Sequence, residues 1–286
     1  MGQYHKVVNL TDREYLYPHD FGDGLKLMEF GQSGYGTSYA LGLMLISDWK
    51  GKRVAIAGDY GEKGDIPEEA LEGIQLGRSS NVYHVAEESP HLTDYSEYGN
   101  EEAGPDKIAY GTALTFKNVG KRARQMAYRT GLVTRPKEKK TGFERIWEIN
   151  DDKTGTFVGN DVIVNFDTKQ MITPAAFGDR KSVYDFAADY DGGVMTALVT
   201  LLASACKGGA RGGGDIHSES ELVGSWAGDH IAIVSEEEAS DSFTDISTQM
   251  RELLTESNEG EYRILEDGVV QRNTWAEDNN REWRVI

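Results

Sequence analysis

The stretch "VVNLTDREYLYPHDFGD" spans Val7–Asp23, and "IVNFDTKQMITPAAFGD" spans Ile163–Asp179. Set side by side without gaps, Val8, Asn9, Pro18, Phe21, Gly22, Asp23 and Phe30 meet Val164, Asn165, Pro174, Phe177, Gly178, Asp179 and Phe186. The mismatches are mild: Leu10 meets Phe166, Arg13 meets Lys169, Leu16 meets Ile172 and Glu29 meets Asp185. Further blocks follow in the same order. "ALGLMLIS" from Ala40 resembles "ALVTLLAS" from Ala197, and "WKGKRVAIAGD" from Trp49 resembles "WAGDHIAIVSE" from Trp226. "DIPEEALEGI" from Asp65 is matched to "DISTQMRELL" from Asp245, and "YHVAEE" from Tyr83 to "YRILED" from Tyr262. The expectation is an internal duplication covering residues 5–88 and 161–267. The unit is too long, and occurs too few times, for a solenoid array.

Each unit reads as β-β-α-α-β-α-β. "YHKVVNL" alternates and is rich in β-branched residues, which predicts a strand; "TDRE" is a turn and "EYLY" a second strand of a hairpin. Pro18 and the Asp20–Gly22 region break the sheet before a helix, "DGLKLMEF". Thr37 or Ser38 is a good cap for the apolar helix "TSYALGLMLIS". "RVAIAG" is a buried strand. Asp65 precedes "IPEEALEGIQLG", read as a helix with Pro67 in its first turn and Gly77 at its end. "VYHVAEE" closes the unit as a strand, making a β-α-β crossover with parallel strands. The fold expected is α/β or α+β, with two similar units in a pseudo-twofold arrangement, as a fused homodimer would have. The chain divides into unit 1 (1–88), a connecting segment (89–160), and unit 2 (161–286) with a Gly-rich insertion and a C-terminal extension. The shared Asn9/Asn165, Pro18/Pro174, Gly22/Gly178, Trp49/Trp226 and Gly51/Gly228 are assigned to structure: a bonded turn, a fixed bend and a packed corner.

The 286 residues suffice for a sizeable core, and no run approaches the roughly 18 apolar residues of a membrane span. The opening "MGQYHKVVNLTD" lacks a signal-peptide pattern, so a cytoplasmic protein, or one packaged into a virion, is expected. One cysteine, Cys206, excludes an internal disulfide and reads as a small buried residue. Forty-eight Asp and Glu against thirty Lys and Arg give a net charge of −18. Such a surface repels nucleic acid and anionic membranes. It fits a halophilic host, or a virus of one, as well as an ordinary acidic protein.

Function is expected where the two units differ. Unit 1 carries His5, His19, Asp59 and Tyr60 where unit 2 has Asp161, Ala175, Ser235 and Glu236. Asp59 follows a strand at its carboxyl end, where α/β ligands sit. His5 and His19, with Asp59 and Glu62, are candidate metal ligands, although their spacing matches no recognised metal pattern. The insertion "CKGGARGGGDIHSESELVGS" suggests a second site. Lys207, Arg211 and the amides around Gly212, Gly213 and Gly214 could cradle an anion, with Asp215 and His217 as an acid–base pair. It lacks the phosphate-loop and dinucleotide fingerprints, and a surface loop is the plainer reading.

Residues 107–140 hold ten Lys and Arg against a single acid, Glu138. "FKNVGKRARQMAYRTGL" is read as a helix with Lys117, Lys121 and Arg124 on one face, and with Arg122 and Arg129 as further contact candidates. This segment suits docking onto an acidic face, the protein's own or a partner's, better than nucleic-acid contact, which stays the alternative. At 1 M salt the Debye length is about 3 Å, so only direct contact would survive in a salty host. "EESPHLTDYSEYGNEEAGPD" before it reads as an acidic surface loop.

The opening "MGQYHKVVNLTDREYLYPHDFGDGLKLMEFG", with "GGARGGGD", "GSWAGDHIAIV" and "WKGKRVAIAGDYGE", resembles a family of uncharacterised proteins from actinobacteria and their phages. The resemblance implies a virus-encoded or mobile gene and assigns no activity. The function expected is a non-catalytic interaction or assembly protein, as an accessory or structural protein of a tailed virus of a halophilic host. The alternative is an enzyme or binding protein for a phosphorylated small molecule, using the Gly-rich insertion. No cofactor is specified by either.

Overall fold

The computed structural model describes residues 2–31, 36–74, 76, 81–86, 116–130, 133–134, 148–149, 161–177, 193–239, 242–256, 262–264, 270–275 and 281–285. The acidic loop expected over 87–106 and the basic residues of 135–140 lie outside them. In chain order the strands are β1 (His5–Asn9), β2 (Glu14–Leu16), β3 (Lys52–Gly58), β4 (Lys117–Asn118), β5 (Val133–Thr134), β6 (Glu148–Ile149), β7 (Asp161–Asn165), β8 (Gln170–Ile172), β9 (Asp229–Ser235), β10 (Thr244–Asp245), β11 (Tyr262–Ile264), β12 (Val270–Trp275) and β13 (Arg281–Val285). The helices are α1 (Leu27–Gly31), α2 (Thr37–Ile46), α3 (Val82–Val85), α4 (Gly120–Thr130), α5 (Val194–Leu202), α6 (Glu236–Ala239) and α7 (Ser247–Glu256). Eight strands form one mixed sheet in the order β10-β8-β7-β9-β3-β1-β2-β4; β11-β12-β13 and β5-β6 form two small antiparallel sheets.

The two halves of the large sheet share one register. Val7 faces Leu16 in β1–β2, as Ile163 faces Ile172 in β7–β8. Val8 faces Ala55 in β1–β3, as Val164 faces Ala232 in β7–β9. The halves meet where β3 pairs antiparallel with β9, and Arg53 faces His230 at the centre of that ladder. Around this point Gly51 N donates to Ile231 O and Gly228 N to Val54 O, both at 2.9 Å. The two hairpin turns are also alike. Among the described residues, Arg13 and Lys169 are the two non-glycine residues at positive φ, 55° and 56°. Asn9 Oδ1 accepts from Asp12 N, and Asn165 Oδ1 accepts from Asp167 N and Thr168 N. These side chains tie the turn that their strands lead into, as the sequence suggested for Asn9 and Asn165.

Strand alternation divides the core between the two faces. Val7, Val54, Ile56, Ile163, Ile231 and Ile233 point to one side, where they pack on α2 and α5. Both helices are buried along almost their whole length, so they are apolar all round rather than striped. α4 packs beside α2, and α7 beside α5. On the opposite side Val8, Ala55 and Ala57 are covered by Ile66, Ala70 and Val82, while Val164 and Val234 form a smaller cluster with Ala239.

Several sequence readings are corrected. Helix α1 is one turn over Leu27–Gly31, shorter than "DGLKLMEF". Thr37 opens α2 without capping it; its amide donates to Asp23 Oδ2 at 2.6 Å, so the cap comes from a preceding segment. The helix expected after Asp65 is a single 3-10 turn, Glu68–Leu71, because Gly73 turns the chain at φ 70°. The strand expected at "VYHVAEE" is helix α3 where the structure describes it. Asn81 caps that helix through Tyr83 N, and Lys6 Nζ gathers the carbonyls of Tyr83 and Ala86. With that strand goes the β-α-β crossover: among the described strands, parallel ladders join β4 to β2 and β10 to β8. β10 and α7 therefore correspond in place to β4 and α4, not to the Asp65 segment. Asn118 Oδ1 accepts from Gly120 N as Asp245 Oδ1 accepts from Ser247 N, both at 2.8 Å. Lys117 accordingly lies on strand β4 and not on the helix face with Lys121 and Arg124.

Candidate functional site

The first residues of β1 meet the Gly-rich insertion. Gly2 forms a parallel bridge with Gly213, and Met28 N donates to Gly214 O. Tyr4 and Asp59 exchange bonds: Tyr4 N donates to Asp59 Oδ1 and Asp59 N to Tyr4 O, both at 2.9 Å. Asp59 thus holds the entering chain. The 3-10 turn Ser204–Cys206 after α5 lies under β3, where Ser204 Oγ donates to Ile56 O.

Asp215 is the hub. It is 3% exposed, and its Oδ2 accepts from Arg211 N at 3.0 Å and Gly212 N at 2.8 Å. The Gln3 amide, oriented so that its nitrogen faces the carboxylate, donates to Oδ2 at 2.6 Å and Oδ1 at 3.2 Å. Oδ1 also faces His5 Nε2 at 3.7 Å, too far for a hydrogen bond. Burial pushes the Asp215 carboxyl above the usual range, while the Gly212 and Arg211 amides pull it back. His5 is fully buried and neither ring nitrogen has a hydrogen-bond partner. Desolvation, offset only in part by the nearby Leu25 backbone, lowers its pKa to about 4, so the ring is neutral at pH 7. Cys206 is also fully buried, as the sequence suggested. Burial, and then the charge of Asp215, push its thiol up to about 12, which excludes a ready nucleophile.

His5, Cys206 and Asp215 each offer one ligand atom, and these atoms lie within 4.8 Å of one another. Among the described residues this is the group with metal-holding geometry, and it contains only His5 of the four metal candidates named from sequence. His19 is exposed on a 3-10 turn, its Nδ1 2.9 Å from Asp23 O. Asp59 is bonded as above, and Glu62 N donates to Asp65 Oδ2. Sequence reasoning missed Cys206 as a ligand partner because a lone cysteine has no motif. The signal available was its place as the first residue of the Gly-rich insertion that carries Asp215.

The donors expected to cradle an anion are engaged within the protein. The amides of Arg211 and Gly212 hold Asp215. The Arg211 guanidinium grips Asp65 with two bonds, 2.5 and 2.8 Å, and also donates to Tyr60 O. Lys207, Gly213 and His217 are exposed, and Gly214 is half-buried. His217 lies close enough to lower the Asp215 pKa, but the carboxylate hydrogen bonds described above do not include it. A nearby shallow cleft of about 20 Å³, room for a water rather than a ligand, is lined by Gly58, Gly61, Asp65, Ile66, Asn81 and Ser204. Asn81 Nδ2 already donates to the carbonyls of Gly58, Asp59 and Gly61.

The basic helix is rooted on its own sheet. Val119, Ala123 and Ala127 enter the core. Arg122 clasps Glu14 at 2.6 and 2.9 Å and approaches Asp48 at 3.1 Å, and Arg124 donates to Asp20 O. Lys117, Lys121 and Arg129 are exposed. No helix among the described residues is long and apolar enough to cross a membrane. The chain matches no protein-family profile, no curated protein and no solved structure.

Proposed function

We propose that the protein is a non-catalytic interaction protein that associates through the outer face of α4 and the adjoining edge of the sheet. The observation that carries this reading is the division of labour among the basic residues. Arg122 and Arg124 are used internally, whereas Lys117, Lys121 and Arg129 face solvent in a chain of net charge −18. A cationic strip on an anionic protein fits an acidic protein surface, and a second copy of this chain offers one. Nucleic acid is disfavoured because the rest of the surface would repel it. The phosphoryl-ligand alternative loses ground because the amides of Arg211 and Gly212 and the Arg211 side chain are engaged within the protein. The matched registers of the two half-sheets further support descent from a duplicated unit, with β3 pairing β9 as two protomers would across a twofold.

The test is native mass by light scattering at low salt and in molar KCl, for wild type and for Lys121→Glu/Arg129→Glu. A defined oligomer that the double variant reduces to monomer, with an unchanged unfolding midpoint, is the expected result. A wild type that stays monomeric at high protein concentration in both salts overturns the reading.

A further inference from the structure

We propose that His5, Cys206 and Asp215 form a buried site for one divalent transition-metal ion of borderline softness, Zn²⁺ above all. Imidazole, thiolate and carboxylate together suit such an ion, and no hard-cation site uses a thiolate. The geometry supports this in two independent ways. First, His5 is fully buried and neither ring nitrogen makes a hydrogen bond of good geometry, the Leu25 backbone being its one polar influence besides Asp215, although a buried polar atom ordinarily finds a full partner. A metal supplies that partner. Second, the separations suit coordination better than hydrogen bonding. Tetrahedral zinc with bonds of about 2.1 Å to nitrogen and oxygen holds those two atoms roughly 3.4 Å apart. His5 Nε2 and Asp215 Oδ1 stand 3.7 Å apart, and Cys206 completes a group within 4.8 Å. A contraction of a few tenths of an ångström closes the His5–Asp215 leg, and the Cys206 legs, ideally about 3.6 Å, close by at most about 1.2 Å.

The surroundings prepare Asp215 for this role. Its Oδ2 is occupied by the amides of Arg211 and Gly212 and by Gln3, and Oδ1, with only the longer Gln3 bond, is turned toward His5. Such outer partners orient a ligand and tune its affinity. The charges also balance. A divalent ion with one thiolate, one carboxylate and a neutral imidazole is a neutral unit, suited to a buried position. Binding breaks the Cys206 S–H bond, forms the sulfur–metal bond and releases the proton to solvent. Affinity therefore rises about tenfold per pH unit while the free thiol stays protonated. Bound metal would join three segments, β1, the turn after α5 and the glycine insertion.

The experiment uses the full-length untagged protein, stripped with chelator and dialysed, then titrated with Zn²⁺ alone and with Co²⁺ alone. Because Cys206 is the chain's single cysteine, a sulfur-to-cobalt charge-transfer band reports on this site and no other. The expected result is one equivalent bound, that band together with visible bands of tetrahedral cobalt, and a rise in Tm with Zn²⁺. Cys206→Ala loses the band. His5→Gln and Asp215→Asn weaken binding by at least tenfold, and Gln3→Ala by about 10–100-fold as an outer partner. If a ligand variant fails to fold, the wild-type charge-transfer band and Tm shift alone decide. Cobalt spectra without the sulfur band, or a wild-type Tm unmoved by saturating Zn²⁺, overturn the site.

Discussion

Glu14 joins the basic helix to the core. Its Oε2 accepts from Trp49 Nε1 at 2.8 Å and from Arg122 at 2.6 Å, and its Oε1 accepts from Arg122 at 2.9 Å. In the other half of the sheet Trp226 Nε1 donates to Gln170 Oε1, also at 2.8 Å. The acceptor is charged where α4 brings an arginine and neutral in the other half. Glu14→Gln should therefore keep the tryptophan bond and lose only the two-pronged ion pair. Charge-assisted bonds contribute about 1.5–3 kcal/mol, but Arg122 is 37% exposed and screening reduces that, so about 1 kcal/mol is expected. Glu14→Ala also strands Trp49 Nε1 on a fully buried side chain, adding about 1–3 kcal/mol. Urea unfolding gives both values, and Arg122→Ala closes the double-mutant cycle. Equal losses for Glu14→Gln and Glu14→Ala, or losses below about 0.5 kcal/mol for both, refute this reasoning.

His5 gives a pH dependence. Its folded pKa of about 4 lies below the unfolded 6.5, so the unfolded chain takes up the proton first. Stability is fully present above about pH 6.5 and falls toward pH 4, by about 3 kcal/mol in all. Asp215, raised by burial, works with the opposite sign over the lower part of that range. In chelator, His5→Gln should flatten the profile and Asp215→Asn steepen it, as read by thermal melts across pH. Gly228 sits at φ 93°, and a Cβ there would meet Ala70 Cβ at 2.9 Å. Gly228→Ala should cost about 2–4 kcal/mol in denaturant unfolding. Gly51→Ala, at φ 68° with Phe166 at an ordinary 3.9 Å from the new Cβ, should cost only the backbone part, about 1–3 kcal/mol.

The central strands were legible because alternation and β-branching survive in both halves, as in "KVVN" of β1 and "VIVN" of β7. The turn role of Asn9 and Asn165 was legible for the same reason: a polar side chain at a strand's end has few other uses. The α3 segment misled because Val82 and Val85 favour a strand in isolation. The bonds from Lys6 that hold it as a helix come from far along the chain. The link between β4–α4 and β10–α7 was hidden because Lys117–Val119 and Thr244–Ile246 share position and capping but no residue type. The metal-like cluster was half legible. His5 and Asp215 were both singled out, yet only the fold brings them together, and Cys206 gave no pattern to read.

The outermost strands of the large sheet, β4 and β10, are two residues long each. A longer bare edge would present a ladder of free amides and carbonyls on which any extended chain could grow. Here each edge turns at once into a helix. Among the described residues, backbone templating therefore finds little ladder to pair with at either end of this sheet. Any assembly that the sheet joins must be written in side chains, where sequence can choose the partner.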